Sequence, residues 1–174
     1  MVITRTADRL AWFNAAAPAE AGRQLVACCA VDEWAERLVA GRPYRDLDAL
    51  RAAADAALAD LDWPAVLRAL AAHPRIGERA HGADPEARWS RQEQAAAAAT
   101  SPDPATRAAL AAGNHAYEER FGHVFLICAT GRSAEEVLAA LRARLGNDEE
   151  TERAVVRAEL GRITALRLAR VVGA

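Results

Sequence analysis

Residues 47–74 read LDALRAAADAALADLDWPAVLRALAAHP, and this stretch decides the fold class. Leucine and alanine recur at three- and four-residue steps through residues 47–61, which predicts one apolar stripe along a helix that ends near Asp62. Pro64 suits the first turn of a second helix, which should stop near Ala72 because the residue before Pro74 disfavours helical geometry. The apolar positions of this second helix are Val66, Leu67 and Leu70.

The rest of the chain agrees with a helical fold. Hydrophobic residues make up 52% of the sequence and aromatic residues only 5%, an alanine-rich composition that is typical of closely packed helices. The pairs Leu25–Cys29 and Trp34–Leu38 predict two short helices joined near Val31. A chain of 174 residues fits one core, so we predict an all-α, single-domain helical bundle over residues 1–174.

Helix boundaries in the second half are marked by capping residues. Residues 75–89 have no apolar period and contain Gly77, Gly82 and Pro85, which predicts a surface loop. Later helices are predicted to begin at the following signals: Ser90, Asp103-Pro104, Ser133 with Glu136, and Asn147 or Asp148, after which the last helix runs to about Arg170.

One segment does not fit a helix. Residues 124–129 read VFLICA between Gly122 and Gly131, a continuous apolar run that is typical of a buried strand. The sequence offers no obvious partner strand. The backbone groups of a buried extended segment still need hydrogen bonds, so this segment either joins a helix or offers those groups to another partner, such as a ligand.

Charge and cysteine content exclude several classes of function. All 22 basic residues are arginine, the net charge is -2, and the two signs are interspersed, so we expect no nucleic-acid partner. No apolar stretch approaches the roughly 20 residues that span a bilayer, and residues 1–5 do not resemble a signal peptide, so we expect a cytoplasmic protein without membrane contact. The three cysteines are expected to be buried thiols that form no disulfide.

Two polar residues lie on predicted buried faces. His73 follows Leu70 by three residues and ends an inward-facing stripe, where a packing role and a catalytic role are both open. Arg167 follows Ile163 by four residues on the last helix, so its guanidinium should be buried. A buried guanidinium needs an anion, which is either a structural carboxylate or an anionic substrate.

Glu93 has two interpretations. Its spacing from Ser90 is that of a capping box, in which serine and glutamate satisfy backbone N–H groups at a helix start. A carboxylate at that place beside a loop is also suited to hold a substrate or move a proton. The remaining histidines, His81, His115 and His123, are assigned to the surface or to packing. No spacing of histidine, cysteine or carboxylate indicates a metal site.

Three motifs together carry a resemblance. With His73-Pro74-Arg75-Ile76-Gly77, Ser90-Arg91-Gln92-Glu93-Gln94 and residues 163–168 (ITALRL), the chain resembles the 2-oxo-4-hydroxy-4-carboxy-5-ureidoimidazoline (OHCU) decarboxylase family. The likeness extends over most of the chain in the same order. It also includes Phe13-Asn14, Cys28-Cys29, Trp34, Arg42-Pro43-Tyr44, Asn114, Tyr117, Arg120-Phe121-Gly122, the segment Phe125 to Ala129, and Gly146-Asn147-Asp148.

This resemblance implies an all-helical enzyme that removes CO2 from OHCU in urate degradation and yields (S)-allantoin without a cofactor. It implies that His73 and Glu93 are catalytic and that Arg167 holds the substrate. It also implies a small-molecule substrate and makes a homodimer a reasonable expectation. The positions implied to line the substrate are Pro74, Ser90, Arg91, Gln92, Glu93, Gln94, Phe125, Leu126, Ile127, Cys128 and Ala129.

Two other functions remain alternatives from the sequence. In a helical interaction module, the apolar run and Arg167 would form a surface for a protein partner instead of a pocket. A metal-dependent hydrolase of a ureido compound would need metal ligands that the sequence does not supply in any recognisable spacing.

Overall fold

The computed structural model of the chain describes residues 2–77, 85–97 and 103–172. These residues form nine helices and no strand, which confirms the predicted all-α class. Among them, no helix has the length and the apolar character that crossing a bilayer requires. The helices are α1 (Val2–Ala15), α2 (Pro18–Cys29), α3 (Asp32–Ala40), α4 (Leu47–Ala59), α5 (Trp63–Ala71), α6 (Pro85–Ala97), α7 (Pro104–Phe121), α8 (Ala134–Arg144) and α9 (Glu149–Val172).

The chain divides into two compact units. Unit 1 consists of Met1–Ala69 and Gly161–Ala174, and unit 2 consists of Leu70–Leu160. Helix α9 therefore belongs to unit 2 up to Leu160 and to unit 1 from Gly161.

Unit 1 is built around α2, α3 and α4. The predicted pairs Leu25–Cys29 and Trp34–Leu38 are buried, and α3 begins at Asp32, as the sequence indicates. The indole Nε1 of Trp34 donates a hydrogen bond to the carbonyl of Ala54, 3.0 Å away, so the largest buried side chain also satisfies its polar atom. The sequence reasoning assigned no helix to the residues that form α1.

The predicted helix pair in residues 47–74 is present as α4 and α5. The Asp46 carboxylate accepts a hydrogen bond from the N–H of Ala49 and caps the start of α4. Of the apolar positions predicted for α5, Val66 and Leu70 are buried, whereas Leu67 is 36% exposed. Leu67 lies about 100° around the helix from Val66, which turns it away from the buried stripe.

Unit 2 has its own apolar core, formed where α7, α8 and residues 125–127 meet. Its buried members are Leu110, Tyr117, Phe125, Ile127, Val137, Leu138 and Leu141. The predicted caps are confirmed, because Asp103 accepts from the N–H groups of Ala105 and Thr106, and Ser133 forms a reciprocal capping box with Glu136. Asp148 caps α9 by accepting from the N–H of Thr151.

The predicted start of α6 is wrong. The helix begins at Pro85, five residues before Ser90, so residues 85–89 are helical and not part of a surface loop. Ser90 and Glu93 are therefore interior helical residues and cannot form an N-terminal capping box. The signal for the true start is Pro85 itself, because proline is favoured in the first turn and strong helix formers follow it in Glu86 and Ala87.

The close approach of α7 and α8 yields a test of the unit 2 core. A Cβ atom on Gly113 would lie 2.3 Å from Cδ2 of Leu141, whose side chain is fully buried. We therefore expect Gly113→Ala to lower the free energy of unfolding by about 1–3 kcal/mol through overpacking. Gly22→Ala in α2 is the matched control, because nothing lies within 4 Å of its added Cβ.

The control should stabilise the protein by about 0.5–1 kcal/mol, since alanine is the better helix former. Both values can be measured by urea denaturation. Equal effects of the two substitutions would contradict the packing of α7 against α8.

Candidate active site

His73 lies just beyond the end of α5, in unit 2. Its backbone N–H donates to the carbonyl of Leu70 at 3.0 Å, which closes a final turn before Pro74 prevents the helix from continuing. The side chain is 8% exposed, which confirms that it faces the interior. The structure thus holds an imidazole at a helix end, on a backbone that proline restrains.

The loop after His73 is tied to α7 by two side chains. The Arg75 guanidinium donates from Nε and Nη2 to the two carboxylate oxygens of Glu118, at 2.5 and 2.8 Å. This hydrogen bonding is the main cause of a pKa for Glu118 below its usual value. Asn114 adds a hydrogen bond from Nδ2 to the carbonyl of Ile76 at 2.8 Å. These contacts anchor the residues that follow the histidine.

Helix α6 presents Ser90 and Glu93 on one buried face. They lie three residues apart, and their side chains are 4% and 9% exposed. Arg91 is half-buried and Gln92 is exposed, so these two residues point in other directions. The side chain of Gln94 lies outside the described residues. Among the candidates at residues 90–94, Ser90 and Glu93 are therefore the two whose burial the structure shows.

The segment 124–129 belongs to no helix and no strand. Phe125, Leu126, Ile127 and Ala129 are buried, and Cys128 is half-buried. The predicted burial is confirmed, whereas the predicted strand is absent from this segment. Two of its backbone groups instead form hydrogen bonds with side chains, as described next.

Two charged side chains of unit 2 bind the backbone of this segment. Arg144 donates from Nη1 to the carbonyl of Leu126 at 2.7 Å, and Glu159 accepts from the N–H of Cys128 at 2.8 Å. Both side chains are buried, at 7% and 5% exposure. Hydrogen bonds to ionised groups are stronger than neutral ones, so these contacts hold the segment firmly.

Arg144 is itself held by a buried polar cluster. Its Nε and Nη2 atoms donate to Oε1 of Glu152 at 2.9 and 2.6 Å, and the Tyr117 hydroxyl donates to the same oxygen. Asn147 donates to Oε2 of Glu152 at 2.8 Å. Burial, with the hydrogen bond to Glu152, raises the pKa of Tyr117, so its hydroxyl keeps its proton and acts as a donor.

Glu93 lies close enough to the segment 124–129 to interact electrostatically with Cys128. Burial raises the pKa of the Cys128 thiol, and the negative charges of Glu159 and Glu93 raise it further. A thiol with a raised pKa stays neutral, so Cys128 is not suited to act as a nucleophile.

Arg167 lies on α9 in unit 1. Its side chain is fully buried, and Val156, Leu160 and Ile163 on the same helix are buried too, which confirms the predicted inward face. The predicted burial of a charged guanidinium is therefore correct.

The other histidines and the cysteines match their assignments in part. His115 is exposed, and His123 is half-buried with its ring packed edge-on to Tyr117 at 5.5 Å. His81 lies outside the described residues. Cys28 and Cys29 are buried and Cys128 is half-buried, and none of them forms a disulfide. Within residues 2–77, 85–97 and 103–172, no three histidine, cysteine or carboxylate side chains are grouped as metal ligands.

Arg144, Glu152 and Glu159 were missed by the sequence reasoning. Arg144 follows Leu141 by three residues, and Glu152 precedes Val156 by four, so both fall on the buried stripes of their helices. The same signal that identified Arg167, a charge on an apolar stripe, would have found them.

Comparisons with known proteins agree on one family. A family model described as OHCU decarboxylase matches residues 14–169. The uric acid degradation bifunctional protein TTL of Arabidopsis thaliana is 34% identical over 83% of this chain and 45% of its own length. The chain therefore spans less than half of that plant relative. The 2-oxo-4-hydroxy-4-carboxy-5-ureidoimidazoline decarboxylase of Haloferax volcanii is 33% identical over 78% of each chain.

A solved structure supports the same assignment. The crystal structure of OHCU decarboxylase in the presence of (S)-allantoin superposes with a TM-score of 0.72 and 31% identity. The superposition covers 86% of this chain and 96% of that one. Fold and sequence together place the chain in a family of all-helical proteins. The chain belongs to the OHCU decarboxylase family.

Proposed function

We propose that this protein converts OHCU to (S)-allantoin and CO2 in urate degradation, without a cofactor. The family match over residues 14–169 supports the proposal, because that range contains His73, Glu93 and Arg167. The observation that carries it is the burial of His73 and Glu93 in one unit, with Glu93 within electrostatic range of Cys128.

We assign the acid–base chemistry to His73 and Glu93. A histidine and a carboxylate are the side chains that most often move protons in enzymes, and burial strengthens their interaction with a bound substrate. Arg167 is assigned to the substrate's anionic group, since its planar fork suits a carboxylate. The proposed lining consists of Pro74, Ser90, Arg91, Gln92, Gln94, Phe125, Leu126, Ile127, Cys128 and Ala129.

The substrate itself makes an external electron sink unnecessary. The bond between the ring carbon and the carboxylate breaks, CO2 leaves, and the electron pair moves into the adjacent ring C=N bond, whose nitrogen gains a proton. The product of this step is an enol. The enol hydroxyl then loses its proton while the neighbouring carbon gains one, and His73 and Glu93 manage these two transfers. Protonation from one face sets the (S) configuration.

The decisive experiment generates the unstable substrate enzymatically in the assay mixture. Urate, urate oxidase and hydroxyisourate hydrolase generate OHCU, and circular dichroism follows the appearance of optically active allantoin. With this protein present, we expect a faster rise and an excess of the (S) enantiomer. A racemic product formed at the rate of the protein-free control would refute the proposal.

The same assay tests independence from metals. Protein treated with EDTA and then freed of it should keep its full rate, because the proposed chemistry uses only side chains and the substrate's own C=N bond. A rate that disappears on chelation and returns with zinc would instead favour the metal-dependent hydrolase class.

The whole chain is proposed to act as a single domain over residues 1–174. The family match crosses the boundaries of both units, which supports this organisation. One cooperative calorimetric transition is the expected result, and two separated transitions would contradict it.

We also propose a cytoplasmic homodimer that binds a small molecule and neither nucleic acid nor membrane. The interspersed charges and the net charge of -2 support the absence of a nucleic-acid partner. Light scattering that gives the mass of one 18.6 kDa chain would overturn the dimer.

A further inference from the structure

We infer that Arg144 and Glu159 are positioning residues for the proposed reaction: they fix the peptide groups of Leu126 and Cys128, so that the segment 124–129 meets the substrate in one geometry. This inference rests on the proposed function. Neither residue belongs to the set implied by the family resemblance.

The two contacts lie two residues apart on the segment. Arg144 binds the carbonyl of Leu126 at 2.7 Å, and Glu159 binds the N–H of Cys128 at 2.8 Å. The carbonyl of Ala129 accepts from the N–H of Arg132 at 3.0 Å, which closes a turn directly after the segment. The backbone is therefore held at three of the four residues 126–129.

The two contacts have complementary polarity. A cationic donor binds a carbonyl and an anionic acceptor binds an N–H, so each charged group meets the backbone dipole that it favours. In a sheet, a neighbouring strand would supply both contacts. Here two side chains replace that strand, and both are more than nine-tenths buried.

Arg144 also fixes the side of the segment that faces the core. Its guanidinium carbon lies 4.5 Å from the centroid of the Phe125 ring, and that ring packs edge-on against Tyr117 at 5.2 Å. The Arg144–Glu152 ion pair is buried on both sides and holds the guanidinium in place. The segment can therefore neither slide nor rotate without breaking charged hydrogen bonds.

The test compares two substitutions of Glu159, one that keeps a hydrogen-bond acceptor and one that removes it. Glu159→Gln keeps an oxygen that can accept from the Cys128 N–H, so KM should stay within about threefold of the wild type. Glu159→Leu removes the acceptor and should raise KM roughly 10- to 100-fold, while kcat changes by less than about threefold. The control for a general loss of stability is Asp103→Ala, which removes the cap of α7 and leaves both hydrogen bonds to the segment in place.

Hydrogen exchange of the Cys128 amide provides a readout that does not depend on activity. Exchange should accelerate in Glu159→Leu and stay slow in Glu159→Gln. Arg144→Lys retains a charge near Glu152 but has a single ammonium group, so it should raise KM even when the melting temperature is preserved.

The outcomes separate the two proposals. If the wild type does not act on OHCU, the proposed function and the positioning role both fail, while amide exchange still reports whether Glu159 holds the peptide. If the wild type is active, the positioning role is overturned when Glu159→Leu keeps its KM, or when Asp103→Ala raises KM equally.

Discussion

Glu93→Gln is expected to fold normally and to lose nearly all activity, with kcat lower by about 10²- to 10⁴-fold. The amide has almost the same shape as the carboxylate, but it cannot take up or release a proton at neutral pH. Because α6 begins at Pro85, Glu93 is not a cap, and its substitution should not fray the helix start. In this variant, a loss of activity can therefore be distinguished from a loss of folding.

The matched control is Arg88→Gln, an exposed position on the same helix that lies outside the proposed site. It should keep the wild-type rate and melting temperature. Rates come from the coupled circular dichroism assay and stability from thermal melts. A Glu93→Gln variant that is stable and fully active would remove Glu93 from the mechanism.

Arg167→Lys is expected to raise KM roughly 10- to 100-fold, since a bidentate contact with a carboxylate is lost while the positive charge remains. The position is fully buried, so the lysine also has little room to adopt another geometry. Arg162→Lys is the control, because that arginine is exposed on the same helix.

Arg167→Met separates binding from structure. Methionine has similar length and no charge, and replacing a buried ion by an apolar side chain is often neutral when no partner is left behind. A structural ion pair at Arg167 would leave a buried carboxylate stranded in this variant and cost about 3–5 kcal/mol of stability, which a ligand-free thermal melt reports. Loss of substrate binding is the expected result, and a methionine variant that binds substrate like the wild type would contradict it.

Local signals predicted most of the helices. The stripe in residues 47–61 and the caps at Asp103, Ser133 and Asp148 depend on neighbours within four residues, so sequence spacing is sufficient to identify them. The start of α6 was misplaced because Ser90 and Glu93 have the spacing of a capping box. Pro85, which also marks a first helical turn, was assigned to the loop instead.

The candidate site was predictable only in part. Burial of His73 and Arg167 followed from helical periodicity, which is a local property. The contacts of the segment 124–129 join residues 18 and 31 positions apart, and sequence spacing carries no information on such pairs. The roles of the residues came from the family resemblance, because an inward-facing charge alone does not distinguish a structural ion pair from a substrate contact.

The protonation state of the Cys128 thiol affects how readily this residue is oxidised. Peroxides and electrophiles attack the thiolate form of cysteine, and its oxidation begins from that form. Because burial and two carboxylates hold the Cys128 proton in place, this thiol should oxidise slowly. Cys28 and Cys29 are shielded by complete burial. We therefore expect none of the three thiols to be a preferred target of oxidation.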